Sequence, residues 1–361
     1  MSKDTQDERP WIRGRTPSPY RLPDAGVRGL DHYERRLPGW RHRLRQRLIP
    51  LVRWETFYLA ELQNVCRSPF LDSYFALTAN LGTHTFFMAA LPICFWFGHT
   101  DVGKALVQML AAGVYLSGFV KDMVCLPRPL SPPLHRITMS GSAALEYGFP
   151  STHTTNAVSV AIYCLHALSA SQENHSPAVY NTLSMICYCY AISISVGRMY
   201  CGMHGFMDVI IGGLLGACIA WARIDLGKSF DSWMLEDSWH RPAFLVIFLM
   251  LAIRFHPEPA DNCPCFDDSV AFAGVVMGVE AGVWHYELAK GGSIAPTGIQ
   301  DFTAMSVMQA ACKVVGGVVI IFVWRAVAKP LLLRYLPPVF RAVEHVGFTM
   351  PRRYFIQARY M

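Results

Sequence analysis

Eight apolar runs set the terms for this chain: 77–98, 104–121, 153–170, 180–197, 206–224, 241–255, 269–286 and 303–325. Most approach the roughly 20 residues a helix needs to cross a bilayer. The sixth is short and flanked by Arg241 and Arg254. Hydrocarbon offers no partner to a bare N–H or C=O, so only helices and closed barrels cross it. The runs lack the two-residue alternation of barrel strands. The expected fold is all-α, a polytopic membrane helical bundle of about eight spans.

Composition agrees. Hydrophobic residues make up 52% of the 361 and charged residues 16%, against about 25% charged in a soluble domain. That balance excludes an ordinary soluble enzyme and a disordered chain. The net charge of +6 is confined to one end. Residues 1–53 hold 13 Lys/Arg against 6 Asp/Glu, and the remainder 19 against 20. A nucleic-acid module would carry its charge on the body, so no nucleic-acid partner is expected.

No apolar stretch with a cleavage site opens the chain, so it lacks the pattern of a secretory signal. From Trp40 to Leu62, arginines alternate with Leu44, Leu48, Ile49, Val52, Trp54 and Phe57. A basic amphipathic helix on anionic headgroups has this pattern; a solvated tail is the alternative. The domain reading is 1–70 as a basic arm with an interfacial helix, 71–325 as the membrane domain, and 326–361 as a basic tail, helix-poor after Trp324. Whether Met361 is a natural end stays open. The eleven cysteines form no CxxC pair or zinc spacing and do not fix a compartment.

Chemistry concentrates in three polar segments at run ends. The first is Lys121 to Pro129, the second Pro150-Ser151-Thr152-His153, and the third Arg198 to Asp208. Counting spans, the second ends where the third begins, and the fourth ends where the fifth begins, on the side of the N-terminus. All three segments therefore meet at one membrane face. Lys121, Arg128 and Arg198 supply three positive charges, and arginine forks match phosphate oxygens bidentately. Ser151 and Thr152 are placed to cap the third span and turn its free N–H groups toward an anion.

His204 and Asp208 are four apart and share a helix face, so the carboxylate can fix the ring tautomer and leave the other nitrogen as nucleophile. His153 is then the acid and base for the alcohol and the water. No carboxylate cluster is present to hold magnesium, so a metal-independent reaction with no cofactor is expected. Lone histidines such as His84 and His166 read as packing residues. Glu280 and Lys313, at similar depth in the last two spans, read as a structural pair.

The three segments resemble the signature of the type 2 phosphatidic acid phosphatase (PAP2) superfamily: K-x6-R-P, then P-S-x-H, then S-R-x5-H-x3-D. Lys121, Arg128 and Pro129 match the first part; Pro150, Ser151 and His153 the second; Arg198, His204 and Asp208 the third. Gly197 stands where the pattern has serine, and Thr152 where glycine is common. The resemblance implies His204 as nucleophile, Asp208 as its partner, His153 as acid and base, and Lys121, Arg128, Ser151, Thr152 and Arg198 as phosphate ligands.

The stretches Cys125 to Pro133 and Glu146-Tyr147-Gly148-Phe149 further resemble sphingosine-1-phosphate and dihydrosphingosine-1-phosphate phosphatases. That implies a sphingoid base phosphate as substrate, the bilayer as partner, and a multi-pass protein of the endoplasmic reticulum with a luminal site. Counting Lys and Arg in the loops instead puts the site face in the cytosol. A broader lipid phosphate phosphatase, a glucose-6-phosphatase-like enzyme and an anion-binding transporter are the alternatives. No oligomeric state is specified.

Overall fold

The computed structural model describes residues 24–139, 143–236, 238–289 and 307–347. Among these residues all regular structure is helical. In chain order the helices are α1 (Leu30–Arg36), α2 (Gly39–Cys66), α3 (Pro69–Thr78), α4 (His84–Trp96), α5 (Thr100–Val124), α6 (Thr152–Ala170), α7 (Pro177–Tyr200), α8 (Phe206–Leu235), α9 (His240–Phe255), α10 (Cys265–Ala289) and α11 (Val307–His345).

Helices α5, α7 and α8 and the stretch Val307–Val343 of α11 are long and apolar enough to cross a membrane. The expected runs fall on helices, with two departures; residues 303–306 of the last run and 348–361 of the tail lie outside the described residues. The run 77–98 is broken by the short 3-10 turn Ala79–Gly82, after which Thr83 caps α4 by accepting the Phe86 N–H. The tail is not helix-poor after Trp324: α11 continues through Pro330, Pro337 and Pro338. Its apolar run Leu331-Leu332-Leu333 carries the helical pattern past Pro330.

Four helices, α5 to α8, position the functional residues. α6 packs against α5, α7 and α8. Gly212 and Gly216 of α8 admit the backbone of α6 at Ser151 and Thr155. Leu106 and Met109 of α5 pack with Ile219 and Ala220 of α8, while Val107 and Ala111 pack with Leu245 of α9 and Val276 of α10. The outer faces of α9 and α11 expose large apolar side chains such as Phe244, Ile247, Ile320 and Trp324, as expected of surface that meets acyl chains.

The arm contributes to this core. Arg41 and Arg45 of α2 are buried, Arg45 to 2% exposure. The Arg41 guanidinium donates to the Asp122 and Met123 carbonyls, and Arg45 Nε donates to the Cys125 carbonyl at 3.1 Å. Both thus neutralise the carbonyl end of α5, where cations are favoured. The expectation that the arm's arginines touch headgroups or solvent fails for these two, because unpaired carbonyls at a buried helix end need donors.

At the opposite end of α5, Lys104 reaches Asp231 at 2.8 Å and Glu280 at 3.6 Å, and Arg223 also pairs with Asp231. Gln108 donates to Glu280. Glu280, expected to pair with Lys313, faces α5 instead. Lys104 falls at the first residue of an apolar run, where sequence alone does not show it turning inward.

Candidate active site

The three polar segments converge on one end of the α5, α6 and α8 group. α5 stops at Cys125, whose left-handed φ of 55° breaks the helix just before Pro127 and Pro129. That break sends Arg128 back across the helix end. Arg128 Nη1 donates to the Met203 carbonyl at 2.9 Å and to His204 Nε2 at 3.0 Å. Because a guanidinium only donates, Nε2 must present its lone pair, and the His204 proton sits on Nδ1.

His204 lies in the turn between α7 and α8, 1% exposed. The Arg198 carbonyl accepts from the Met203 and His204 N–H groups and shapes that turn. His204 Nδ1 lies 3.4 Å from Asp208 Oδ2, although His204 precedes the N-cap of α8 and does not share the helix face that the four-residue spacing implied. The alignment is not that of a hydrogen bond; Oδ2 accepts the Gly205 N–H at 2.8 Å and caps α8. Burial, then the Arg128, Arg198 and Lys121 charges, hold the imidazole well below its usual range, so the ring stays neutral.

Ser151 caps α6 by accepting from the Thr154 N–H and hydroxyl, and its own N–H donates to the Asp208 carbonyl at 2.9 Å. Its hydroxyl thus serves the helix end. The Thr152 and Ser117 hydroxyls bond to each other at 2.8 Å. A cavity of about 40 Å³ is lined by Lys121, Glu146, Thr152 and His153, with Asp268 on its wall. Gly82 packs against His153: a Cβ there would lie 2.8 Å from the ring Cδ2. Arg198 is buried in the last turn of α7, and its Nε has no protein partner.

Glu146 is the site residue that motif reasoning missed. Its Oε2 accepts from Lys121 Nζ at 3.2 Å and from Arg128 Nη2 at 2.8 Å. Burial would raise this carboxyl, but the Lys121 and Arg128 charges outweigh it and hold the group well below the usual carboxylate range. The signal in the sequence was slight: one acid just before Pro150, in a segment otherwise apolar.

Glu55, Thr56 and Gln63 of α2 were also missed. Glu55 accepts the Met207 N–H at 2.8 Å at the start of α8. Thr56 Oγ1 accepts the Leu130 N–H, while Gln63 bonds both the His135 backbone and the Tyr200 carbonyl. One helix face thereby holds the loop after α5, the end of α7 and the start of α8. Glu55 is the only acid among residues 41–60, which is the trace it leaves in the sequence.

Gly197, the departure from the signature, has a steric reason. A Cβ there would meet Phe75 Cδ1 of α3 at 2.7 Å. The Phe75 ring fills the space a serine side chain would take.

Asp122, Cys263 and Cys265 bring potential metal-ligand atoms within 4.8 Å of one another beside this site. Burial pushes the Cys263 thiol well up, the opposite of what a thiolate ligand requires.

The chain is similar to known proteins over most of its length. The PAP2 superfamily pattern matches residues 102–228. A dihydrosphingosine 1-phosphate phosphatase of Schizosaccharomyces pombe is 42% identical over 304 residues, 84% of this chain and 73% of that protein. A second protein of that name, from Saccharomyces cerevisiae, is 35% identical over 266 residues, 74% of this chain and 66% of that protein. Among solved structures, a transmembrane PAP2 type phosphatidylglycerolphosphate phosphatase from Bacillus subtilis is similar at 18% identity and a TM-score of 0.39, covering 55% of this chain and 96% of that one.

Proposed function

The chain belongs to the PAP2 superfamily, and on that premise we propose that it hydrolyses the phosphate monoester of a sphingoid long-chain base at the membrane surface. The observation that carries this reading is the contact of Arg128 with His204 Nε2, which aims a neutral nucleophile's lone pair into a cluster of cations. The relatives named above support the substrate class. An amphiphile also suits the setting, since its tail stays in the bilayer while its headgroup meets the ends of the helices.

The chemistry divides into two displacements. Lys121, Arg128 and Arg198 take the phosphate oxygens, drawing Arg128 off Nε2. His204 Nε2 attacks phosphorus, the bond to the alcohol oxygen breaks, and His153, which takes up a proton as the phosphate dianion enters, gives it to that oxygen. A water, deprotonated by His153, then attacks the phosphohistidine and releases phosphate. The three cations hold the charge that builds on the equatorial oxygens. Asp208 balances the imidazolium character that His204 gains. Ser151 and Thr152 contribute by presenting the N-terminus of α6. No step needs a metal or cofactor.

We further propose an endoplasmic reticulum location with the site luminal, and α2 lying along the membrane surface. The luminal choice follows the resemblance to sphingosine-1-phosphate phosphatases; Arg41 and Arg45, which serve α5, lower the opposing Lys and Arg count by two without reversing it. Protease protection of an N-terminal tag in intact microsomes tests the orientation: digestion without detergent overturns the luminal assignment.

Phosphate trapping tests the mechanism. Brief reaction of the purified protein with ³²P-labelled sphinganine 1-phosphate should leave acid-labile label on His204. The label should build up in His153→Ala and be absent in His204→Ala. Label on any other residue refutes the assignment.

A further inference from the structure

Glu146 occupies the place where a phosphate would sit. One of its oxygens bridges Lys121 and Arg128, two of the three cations of the site. The side chain is still 27% exposed and faces the cavity shared with His153. Its own carbonyl accepts from Arg128 Nε at 3.1 Å, and the two residues that follow are anchored away from the site. The Tyr147 hydroxyl donates to Asp261 at 3.1 Å, and the Gly148 N–H donates to the Leu126 carbonyl at 2.9 Å. The carboxylate therefore moves by side-chain rotation and stays beside the site when displaced.

Charge decides what must follow. At rest, with both histidines neutral, the site holds Lys121, Arg128 and Arg198 against Glu146 and Asp208, with Asp268 on the cavity wall. A bound phosphate dianion takes the cations and strips Glu146 of both partners, leaving a carboxylate beside a dianion in a poorly hydrated cavity. Such an arrangement is costly unless a cation arrives with the phosphate. A sphingoid base phosphate brings one: an ammonium on the carbon next to the phosphate-bearing carbon. Phosphatidate and lysophosphatidate have a neutral ester or hydroxyl there.

We propose that Glu146 is the specificity residue of this site, holding Lys121 and Arg128 at rest and turning onto the substrate ammonium when phosphate displaces it. The proposal rests on the long-chain base reading above and adds how the site would distinguish that class from glycerol-based phosphates. A charged hydrogen bond formed only with the cationic substrate favours it about tenfold or more.

The test uses purified full-length protein in mixed micelles with three substrates: sphinganine 1-phosphate, its N-acetyl analogue with a neutral amide, and lysophosphatidate. Phosphate release gives kcat/KM for each. The wild type should prefer the free amine over the amide by about tenfold or more. Glu146→Gln should collapse that ratio toward one by raising KM for the amine alone, and Glu146→Asp should give an intermediate ratio. Glu146→Gln should also lower the inhibition constant for inorganic phosphate, since no carboxylate competes for Lys121 and Arg128.

An unchanged ratio in Glu146→Gln overturns the proposal. So does a wild-type ratio near one, which needs no variant to fold. Wild-type activity on the amine with either result refutes the role of Glu146 and leaves the proposed function intact. Wild-type activity on none of the three removes the function, and the inference with it.

Discussion

Helix α5 carries a buried lysine near each end, and the two are treated differently. Lys104 sits in a balanced group, with Arg223 as the second cation and Asp231 and Glu280 as the anions. Lys121 sits with Arg128 and the nearby Arg198 against the single bridging carboxylate of Glu146. The balanced end satisfies itself and ties α5 to α8 and α10. At the unbalanced end two cations share one carboxylate, while Asp208 caps α8 and Asp268 lies on the cavity wall. Buried charge marks a ligand site where cations outnumber the carboxylates that hold them, a sharper criterion than burial alone.

The comparison breaks hardest at His204. His204→Ala should lower kcat by at least about 10⁴-fold, as loss of a nucleophile does elsewhere, with the purified protein still monodisperse. Retained turnover would remove the unbalanced end from the chemistry. Arg128→Ala should come next, with a loss of about 10²–10³-fold; phosphate release by the folded variant measures it.

At the balanced end the effect should be on stability. Lys104→Met leaves Asp231 and Glu280 short of a partner and should cost about 3–5 kcal/mol. Removing Glu280 as well, in Lys104→Met/Glu280→Gln, should recover part of that loss. Thermal unfolding reads both, while kcat of the folded fraction stays near wild type. A specific loss of kcat in Lys104→Met would erase the distinction between the two ends.

The smallest effects concern pH, where two carboxylates near His204 have opposite signs. Glu146 is held below its ordinary value, so its contribution is present above about 4.5 and lost as pH falls. Glu55, on a helix outside those apolar enough to cross, is raised from 4.5 to about 7, chiefly by burial. Its folded form retains the proton, so its contribution is greatest in acid and declines as pH rises through about 7. The Tm difference between wild type and Glu55→Gln should shrink from pH 4.5 to 7. That between wild type and Glu146→Gln should shrink below pH 4.5. Parallel profiles would contradict both signs.

The apolar runs and three polar segments were legible because each is local: a run length, a spacing of four, a proline after a helix. Their convergence was legible too, since counting spans places helix ends on one face. Glu146 and the inward face of α2 were not. The bond of Glu55 to Met207 joins residues 152 apart, and no periodicity encodes such a pairing. Arg41 and Arg45 misled for the same reason. Arginines on an amphipathic stretch look identical whether they end at a phospholipid or at a helix carbonyl. The departure at Gly197 likewise depends on Phe75, a ring far away in sequence.

The latch made by α2 bears on how short a working version of this protein could be. Every signature residue lies between 121 and 208, and the superfamily pattern covers 102–228. A chain cut to start at residue 71 would keep all of them. It would also lose Glu55 from the start of α8, Thr56 and Gln63 from the turns beside His204, and two guanidinium groups from the end of α5. Such a fragment would possess the reagents without the splint that holds them in register. The smallest unit that carries the motifs is thus smaller than the smallest unit expected to work, and the division drawn at residue 70 falls on the wrong side of that splint.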